Sequence, residues 1–290
     1  MHASSVQQAL GAATDGLRAA GVEDPRLDAE VMLAEATGRE RAALVTDPRA
    51  ELTPPASRLF GEMVRRRLRR EPVAYIVGRK GFRRIELAVD RRVLIPRPET
   101  ELLVEIALER APATVLDVGT GSGAIALALA DELPGCAITA TDTSPAALAV
   151  ARANAERLGL AGRVRFLDGS MPEEGDDARG GEGFDLIVAN LPYVAEPDWA
   201  ALQPEVTQWE PREALLAGAD GLDAYRALLD GVCPSPAHGE QGTNAVGVLA
   251  LEVGEGQAEA VRGLLREAGF AAVETREDLA GIERVVVGER

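Results

Sequence analysis

The chain has 290 residues, enough for two domains or one large one, and its apolar fraction of 46% supports an ordinary soluble core. No run of eighteen apolar residues occurs, and the N-terminus MHASSVQQAL lacks a basic segment leading into an apolar one, so neither a membrane span nor a secretion signal is expected. A formal net charge of −16 opposes a broad nucleic-acid surface, while His2, His238, Cys136 and Cys233, scattered along the chain, offer no metal site and no Ser-His or Cys-His catalysis.

The first part reads as helices. SVQQALGAATDGLRAAG and DPRLDAEVMLAEATG carry apolar residues at helical spacing and stop at Gly21 and Gly38. A third helix starts at Thr53, with Pro54 in the first turn, where its missing N–H costs nothing. It runs into RRRLRR, Arg65 to Arg70, read either as a solvated basic helix end or as a docking patch for an acidic partner. Together these segments make a small helical bundle over residues 1–77. GFRRIELAVD then alternates as a strand or hairpin would, which sets a hairpin linker over 78–93. In VLIPRPETELLVEIALER, Pro96 and Pro98 stiffen a loop, and Thr100 or Glu99 can open the next helix.

From Thr114 short apolar runs alternate with helical segments. TVLDVG, AITATD, RVRFLD, FDLIVAN and VGVLALEVG are strand candidates, and SGAIALALADEL and SPAALAVARANAERLGL lie between them as helices. That alternation predicts an α/β domain over 94–290, with a doubly wound, mostly parallel sheet. AAVETREDLAGIERVVVGER closes the chain with two strands on a short connection, hence one antiparallel strand. PEEGDDARGGEG and CPSPAHGEQGTNAVG read as surface loops.

LDVGTGSGA, Leu116 to Ala124, is a strand, a glycine-rich turn and a helix start. Its third glycine, Gly123, comes one residue too early for the dinucleotide fingerprint, so the turn suits a group smaller than a pyrophosphate, such as an amino-acid moiety. Asp142 ends the next strand, where a carboxylate can hold both hydroxyls of a ribose; its alternative is to cap the helix at Ser144. Glycine turn and ribose acid together resemble the class I methyltransferases that bind S-adenosylmethionine. The resemblance implies that Asp117, Gly119, Thr120, Gly121, Ser122 and Gly123 surround the methionine part and that Asp142 holds the ribose. It aligns Ser170 with a residue beside the adenine, with Asp168 as the other candidate, and sets Met171 where the family carries a large apolar side chain against the ring.

FDLIVAN ends in Asn190-Leu191-Pro192-Tyr193. An amide nitrogen is a poor nucleophile because its lone pair is delocalised, so methylating one requires both of its N–H bonds to be fixed. The Asn190 side-chain oxygen can accept one and the Leu191 carbonyl the other, with Pro192 constraining the chain and Tyr193 stacking on the flat group. Asn190 also faces the bound cofactor on this reading. A plain strand-ending turn with a capping Asn and a core Tyr is the alternative.

The tetrad resembles the Asn-Pro-Pro-Tyr of methyltransferases acting on adenine, cytosine or glutamine amino groups, with Leu191 departing from it as in ribosomal RNA adenine dimethyltransferases. EPVAYIVGRKGF, VLIPRPETELLVE, WEPREALLAGADGLDAYR and LEVGEGQAEAVRGLLREAGF resemble the bacterial release-factor glutamine methyltransferases, the HemK family. That resemblance implies a seven-stranded sheet and transfer of a methyl group from S-adenosylmethionine to the glutamine amide of the Gly-Gly-Gln loop in class 1 release factors, leaving S-adenosylhomocysteine. It further implies a cytoplasmic monomer that recruits its protein substrate through the helical domain and hairpin, without nucleic acid or membrane, while Arg97 and Glu99 of IPRPET line the entrance. Two other readings compete: an RNA or DNA amino methyltransferase, and a nucleoside-binding protein without catalysis, suggested by Leu191 alone.

Overall fold

Ser5 opens the first helix with a reciprocal cap: its hydroxyl accepts the Gln8 N–H and the Gln8 side chain accepts the Ser5 N–H, at 3.3 and 3.0 Å. In the computed structural model, which describes residues 5–172, 183–232 and 246–290, that helix is α1 (Val6–Ala19). Both predicted surface loops fall largely outside the described residues, as do His2, His238 and Cys233. The described chain divides into two units, one of residues 1–79 with 203–209 and one of residues 80–202 with 210–290.

In the first unit, α2 (Pro25–Thr37) begins on a proline and ends at Gly38, whose φ of 66° stops the helix. A short α3 (Arg41–Thr46) follows, then α4 (Pro54–Arg67), capped by the Thr53 hydroxyl, and α5 (Val73–Val77), which ends at Gly78. The core holds Leu10, Leu17, Met32, Leu33, Leu44, Phe60 and Ile76. Apolar spacing made α1, α2 and α4 visible in the sequence; α3 and α5, at six and five residues, are too short for a period to register.

Neither reading of Arg65 to Arg70 holds for the whole tract. Of its arginines only Arg65 and Arg69 are exposed. Arg66 forks onto both carboxylate oxygens of Glu71, and Arg67, only 6% exposed, bonds Asp28 at 2.6 Å and Glu205 at 2.7 Å. Arg70 reaches both oxygens of the same Glu205, at 2.7 and 2.5 Å. Glu205 lies on α9 (Pro204–Trp209). Burial alone would raise its pKa, but the bonds from Arg70 and Arg67 hold it below the usual range. Much of the basic run is therefore an internal ion-pair network, with Glu71 next to it in sequence and Asp28 and Glu205 far from it.

The second unit begins with a hairpin of β1 (Arg79–Phe82) and β2 (Ile85–Ala88). The sheet domain follows as α6 (Glu101–Arg110), β3 (Thr114–Val118), α7 (Ala124–Glu132), β4 (Ala137–Asp142), α8 (Pro145–Arg157), β5 (Val164–Asp168) and β6 (Phe184–Ala189). Beyond these come α10 (Asp223–Val232), β7 (Val246–Glu252), α11 (Ala258–Glu267), β8 (Ala272–Glu277) and β9 (Glu283–Glu289). Strand order is β5-β4-β3-β6-β7-β9-β8, parallel except for β9, which runs antiparallel to both its neighbours. The expected seven-stranded architecture with one reversed strand is what folds. The reversal follows from a turn too short for a crossover: Asp278 accepts the Ala280 and Ile282 N–H groups, and its other oxygen accepts from Arg284. Strands β3, β6 and β7 read as continuous apolar runs because both faces are covered. No helix among the described residues is long and apolar enough to cross a membrane.

Replacing Glu205 with Ala leaves buried Arg67 with Asp28 as its only carboxylate and releases Arg70. The expected cost is about 3 kcal/mol, the lower end for breaking a buried ion pair, read as an earlier urea midpoint. The exposed control Arg69→Ala should stay within about 0.5 kcal/mol of the parent.

Candidate active site

After β5 the chain returns to the opposite flank of β3 and lays down β6, so the order of strands reverses between β3 and β6. In such sheets the carboxyl ends at the reversal leave a crevice between loops that turn opposite ways. One of those loops is the glycine turn after β3; the other is the tetrad after β6. They touch. A Cβ built on Gly119 would lie 3.4 Å from Leu191 Cδ2 and 3.8 Å from the Asn190 carbonyl oxygen, on a backbone with φ of +75°. The Gly119 and Thr120 N–H groups both donate to the Thr141 carbonyl at 2.9 Å, which ties the turn to β4. At Gly123 a Cβ would come within 2.8 Å of Leu127 Cδ1, so the third glycine serves the close start of α7.

Around these loops a cleft of about 790 Å3, open mouth included, is lined by Gly119, Gly121, Asp142, Ser170, Asn190, Leu191 and Pro192 among the predicted residues. Segments that sequence reasoning did not assign to the site also line it: Arg92 to Leu94, and Pro211, Glu213 and Ala214 of the WEPREAL stretch. Asp142 uses one carboxylate oxygen for the Gly121 N–H at 2.9 Å and the other for the Ser144 N–H at 2.8 Å. Ser144 itself caps α8, so Asp142 is not the helix cap; each of its oxygens keeps a further acceptor position facing the cleft. Of the two candidates after β5, Ser170 lines the cleft and Asp168 does not.

Not every predicted residue lines this cleft. Thr120 and Ser122 are buried beneath the turn: the Thr120 hydroxyl donates to Asp117 at 2.7 Å, and the Ser122 carbonyl accepts from Asn154 Nδ2 at 2.9 Å. Asn154, fully buried, also exchanges two hydrogen bonds with the Ala88 backbone at 2.7 and 3.0 Å, pinning β2 to the base of the glycine turn. Met171 packs on the core near Gly231 of α10, not in the cleft. Tyr193 packs on the same core with its ring against Gly254, and its carbonyl accepts from Gln257 Nε2 at 2.8 Å. Burial, reinforced by Glu252, pushes its phenol up to about 12. Arg97 is held by Glu210 at 2.5 Å, and the other oxygen of Glu210 takes the Ile95 N–H at 3.1 Å, so this buried acid clamps the IPRPET loop. Glu99 stands near enough to Tyr193, Arg284 and Glu252 to act on their charges.

Asn190 donates from Nδ2 to Thr100 Oγ1 at 3.0 Å. No described residue donates to its Oδ1 or to the Leu191 carbonyl, so the two oxygens expected to accept remain available. Two acids are buried close by. Asp117, fully buried, takes the Thr120 hydroxyl and the Ala126 N–H on Oδ2, with no partner on Oδ1. Burial pushes it up to about 7 against those two bonds, with Asp142 adding. Glu252 is likewise raised to about 7, by burial against a bond from Thr100.

A carboxyl whose folded pKa lies above its unfolded one contributes stability in full below the unfolded value, and that contribution is lost as pH rises through the folded value. For Asp117 the window runs from 3.8 to about 7. In the apo protein this contribution should therefore be lost between about pH 4 and pH 7, and Asp117→Asn, which keeps an acceptor for Thr120 and Ala126, should flatten that loss by on the order of 2 kcal/mol in chemical denaturation.

Comparison with known proteins agrees with this geometry. A family profile described as "PrmC N-terminal domain" matches residues 8–78, and one described as "Methyltransferase domain" matches residues 115–209. The release factor glutamine methyltransferase of Geobacter sulfurreducens is 45% identical over 92% of this chain and 90% of its own. That of Caulobacter vibrioides is 42% identical over 97% and 95%, and that of Moorella thermoacetica 42% identical over 99% of each chain. Among solved structures, the hMettl16 catalytic domain in complex with MAT2A 3′UTR hairpin 1 superposes with a TM-score of 0.54 at 16% identity, covering 70% of this chain and 74% of that one, a likeness of fold alone. Identity above 40% along nearly the whole chain, on a methyltransferase sheet, means that the chain belongs to the release factor glutamine methyltransferase family.

Proposed function

We propose that the cleft binds S-adenosylmethionine and that the chain uses it to methylate the side-chain amide nitrogen of the glutamine in the Gly-Gly-Gln loop of class 1 release factors, in the cytoplasm. The observation that carries this reading is the contact between the glycine turn and the tetrad, with the Asn190 amide tethered through Nδ2 and its oxygen left free. The donor set fits the cofactor. Bare backbone at Gly119 and Gly121 admits an amino-acid moiety, and the spare acceptor positions of Asp142 suit a ribose diol. Ser170, which lines the cleft, is assigned to the adenine end on this reading. When bound, S-adenosylmethionine supplies an electrophilic methyl group on a sulfonium.

The chain's own part is to hold the nucleophile. Asn190 Oδ1 and the Leu191 carbonyl each accept one N–H of the substrate amide, which fixes its plane and aims the nitrogen. As positive charge develops on that nitrogen, both N–H groups become stronger donors and both acceptors gain, so the pair favours the transition state over the ground state. Tyr193, kept neutral and packed on the core, is not a base. Pro192 lines the cleft and contributes no competing N–H. Arg97 and Glu99 border the approach of the substrate loop, Arg97 as a brace held by Glu210.

Purified enzyme with labelled S-adenosylmethionine should label a release factor and fail to label one whose loop glutamine is replaced. Asn190→Ala should lower kcat by about 100-fold or more while cofactor affinity, measured by calorimetry, stays near the parent value. Asp142→Ala should do the reverse, weakening cofactor binding by about 10- to 100-fold, as two charge-assisted hydrogen bonds imply. Full turnover by Asn190→Ala would overturn the reading.

A further inference from the structure

Asn154, fully buried on α8, uses its whole hydrogen-bonding capacity. Its Oδ1 accepts the Ala88 N–H at 2.7 Å and Arg157 Nη2 at 3.4 Å, and its Nδ2 donates to the Ala88 and Ser122 carbonyls at 3.0 and 2.9 Å. The polarity of each main-chain partner is fixed, so the amide has one orientation. Flipped, it would set its oxygen against two carbonyls and its NH2 against an N–H.

The two main-chain partners lead to different walls of one cleft. Ser122 stands between Gly121 and Gly123 at the base of the glycine turn, and a Cβ built on Gly123 would lie 3.4 Å from Ala151 Cβ, one turn before Asn154 on α8. Ala88 ends β2, and a short turn later the chain forms the wall of Arg92, Val93 and Leu94. That turn is stiff: the Asp90 carboxylate accepts the Arg92 N–H at 3.0 Å, the Asp90 carbonyl accepts the Val93 N–H at 3.1 Å, and Val89 and Val93 are buried. We infer that Asn154 is a positioning residue for the cofactor: it sets the separation of the glycine turn from the Arg92–Leu94 wall, so that β2 contributes to cofactor affinity through α8. A spacing fixed before binding lowers the ordering cost of binding. This rests on the reading that the cleft takes S-adenosylmethionine.

Calorimetry on the purified protein tests it, with S-adenosylmethionine and S-adenosylhomocysteine as separate probes. Asn154→Leu keeps the volume and removes all four bonds. It should weaken both ligands by about 5- to 10-fold, the scale of one hydrogen bond. In turnover the loss should appear in KM for S-adenosylmethionine and not in kcat, because the tetrad after β6 is untouched. Leu265→Ala, which opens a cavity on α11 beside Gly288 of β9, is the structural control; it should lower the melting temperature and leave both affinities near parental. Asp90→Ala keeps Asn154 and loosens only the turn between Ala88 and the wall. Its side chain is 48% exposed, so folding does not depend on it, and it decides the matter if Asn154→Leu does not fold. It should weaken S-adenosylhomocysteine by about 2- to 5-fold; the thioether is the probe there, because Arg92, freed from Asp90, would act on a sulfonium charge. Parental affinity in Asn154→Leu or in Asp90→Ala, or a loss in Leu265→Ala as large as in Asn154→Leu, would each overturn the inference alone. A parent that binds neither ligand would sink the cofactor reading and this inference with it.

Discussion

Two loops from adjacent parallel strands meet across a glycine that cannot be anything larger. Gly119 sits at positive φ with Leu191 at contact distance from where a side chain would begin. A Cβ there would lie at ordinary contact distance from the tetrad, but on a strained backbone. Everything that makes the cleft useful depends on this abutment, because it brings a surface of bare backbone beside an amide and a carbonyl from the neighbouring strand. The parallel pairing of β3 with β6 fixes the spacing, and the bonds from Gly119 and Thr120 to Thr141 fix the turn. Rigid elements, not loop plasticity, hold the groups that line the cleft.

The same region contains the least comfortable electrostatics among the described residues. Asp117 and Glu252 are buried, each has an oxygen without a partner, and both are pushed up to about 7 by loss of water. Elsewhere buried charge is satisfied: Arg67, Arg70 and Glu205 answer one another, and Glu210 is used on both oxygens. Structural ion pairs close their accounts locally, whereas the acids beside the cleft are left partly open. Such asymmetry is expected where side chains are selected for what they orient and not for what they stabilise.

Periodicity and punctuation made the architecture legible. Three N-terminal helices, five parallel strands and the reversed C-terminal strand followed from apolar spacing, prolines and glycines, because those signals are local. The place of Asn190, Leu191, Pro192 and Asp142 at the cleft was legible for the same reason: a strand end followed by an unusual residue string announces itself. What could not be read was partnership. Arg67 and Arg70 looked like a solvated or docking surface because Glu205 lies 135 residues from Arg70. Thr120 and Ser122 share a motif with cleft residues but turn inwards, and Met171 goes to the core, since a motif gives neighbours in sequence and not the direction of a side chain. Thr100 was visible as a possible helix start; its bond to Asn190, 90 residues away, was not.

Leu191 gains a physical explanation from its surroundings. A proline in that place would fix φ and thereby hold the carbonyl still. Leucine gives up that restraint, but here its side chain is 9% exposed, belongs to the core shared with Tyr225, Leu249 and Leu251, and also reaches the glycine turn. The carbonyl is thus immobilised from the side-chain end, by packing, where a ring would do it through the backbone. Packing of this kind also transmits: the residue that carries one substrate acceptor is in van der Waals register with the turn that would hold the methyl donor. Loss of that contact would be felt at both loops, and on the proposed function the second position of the tetrad is then a joint between cofactor and substrate.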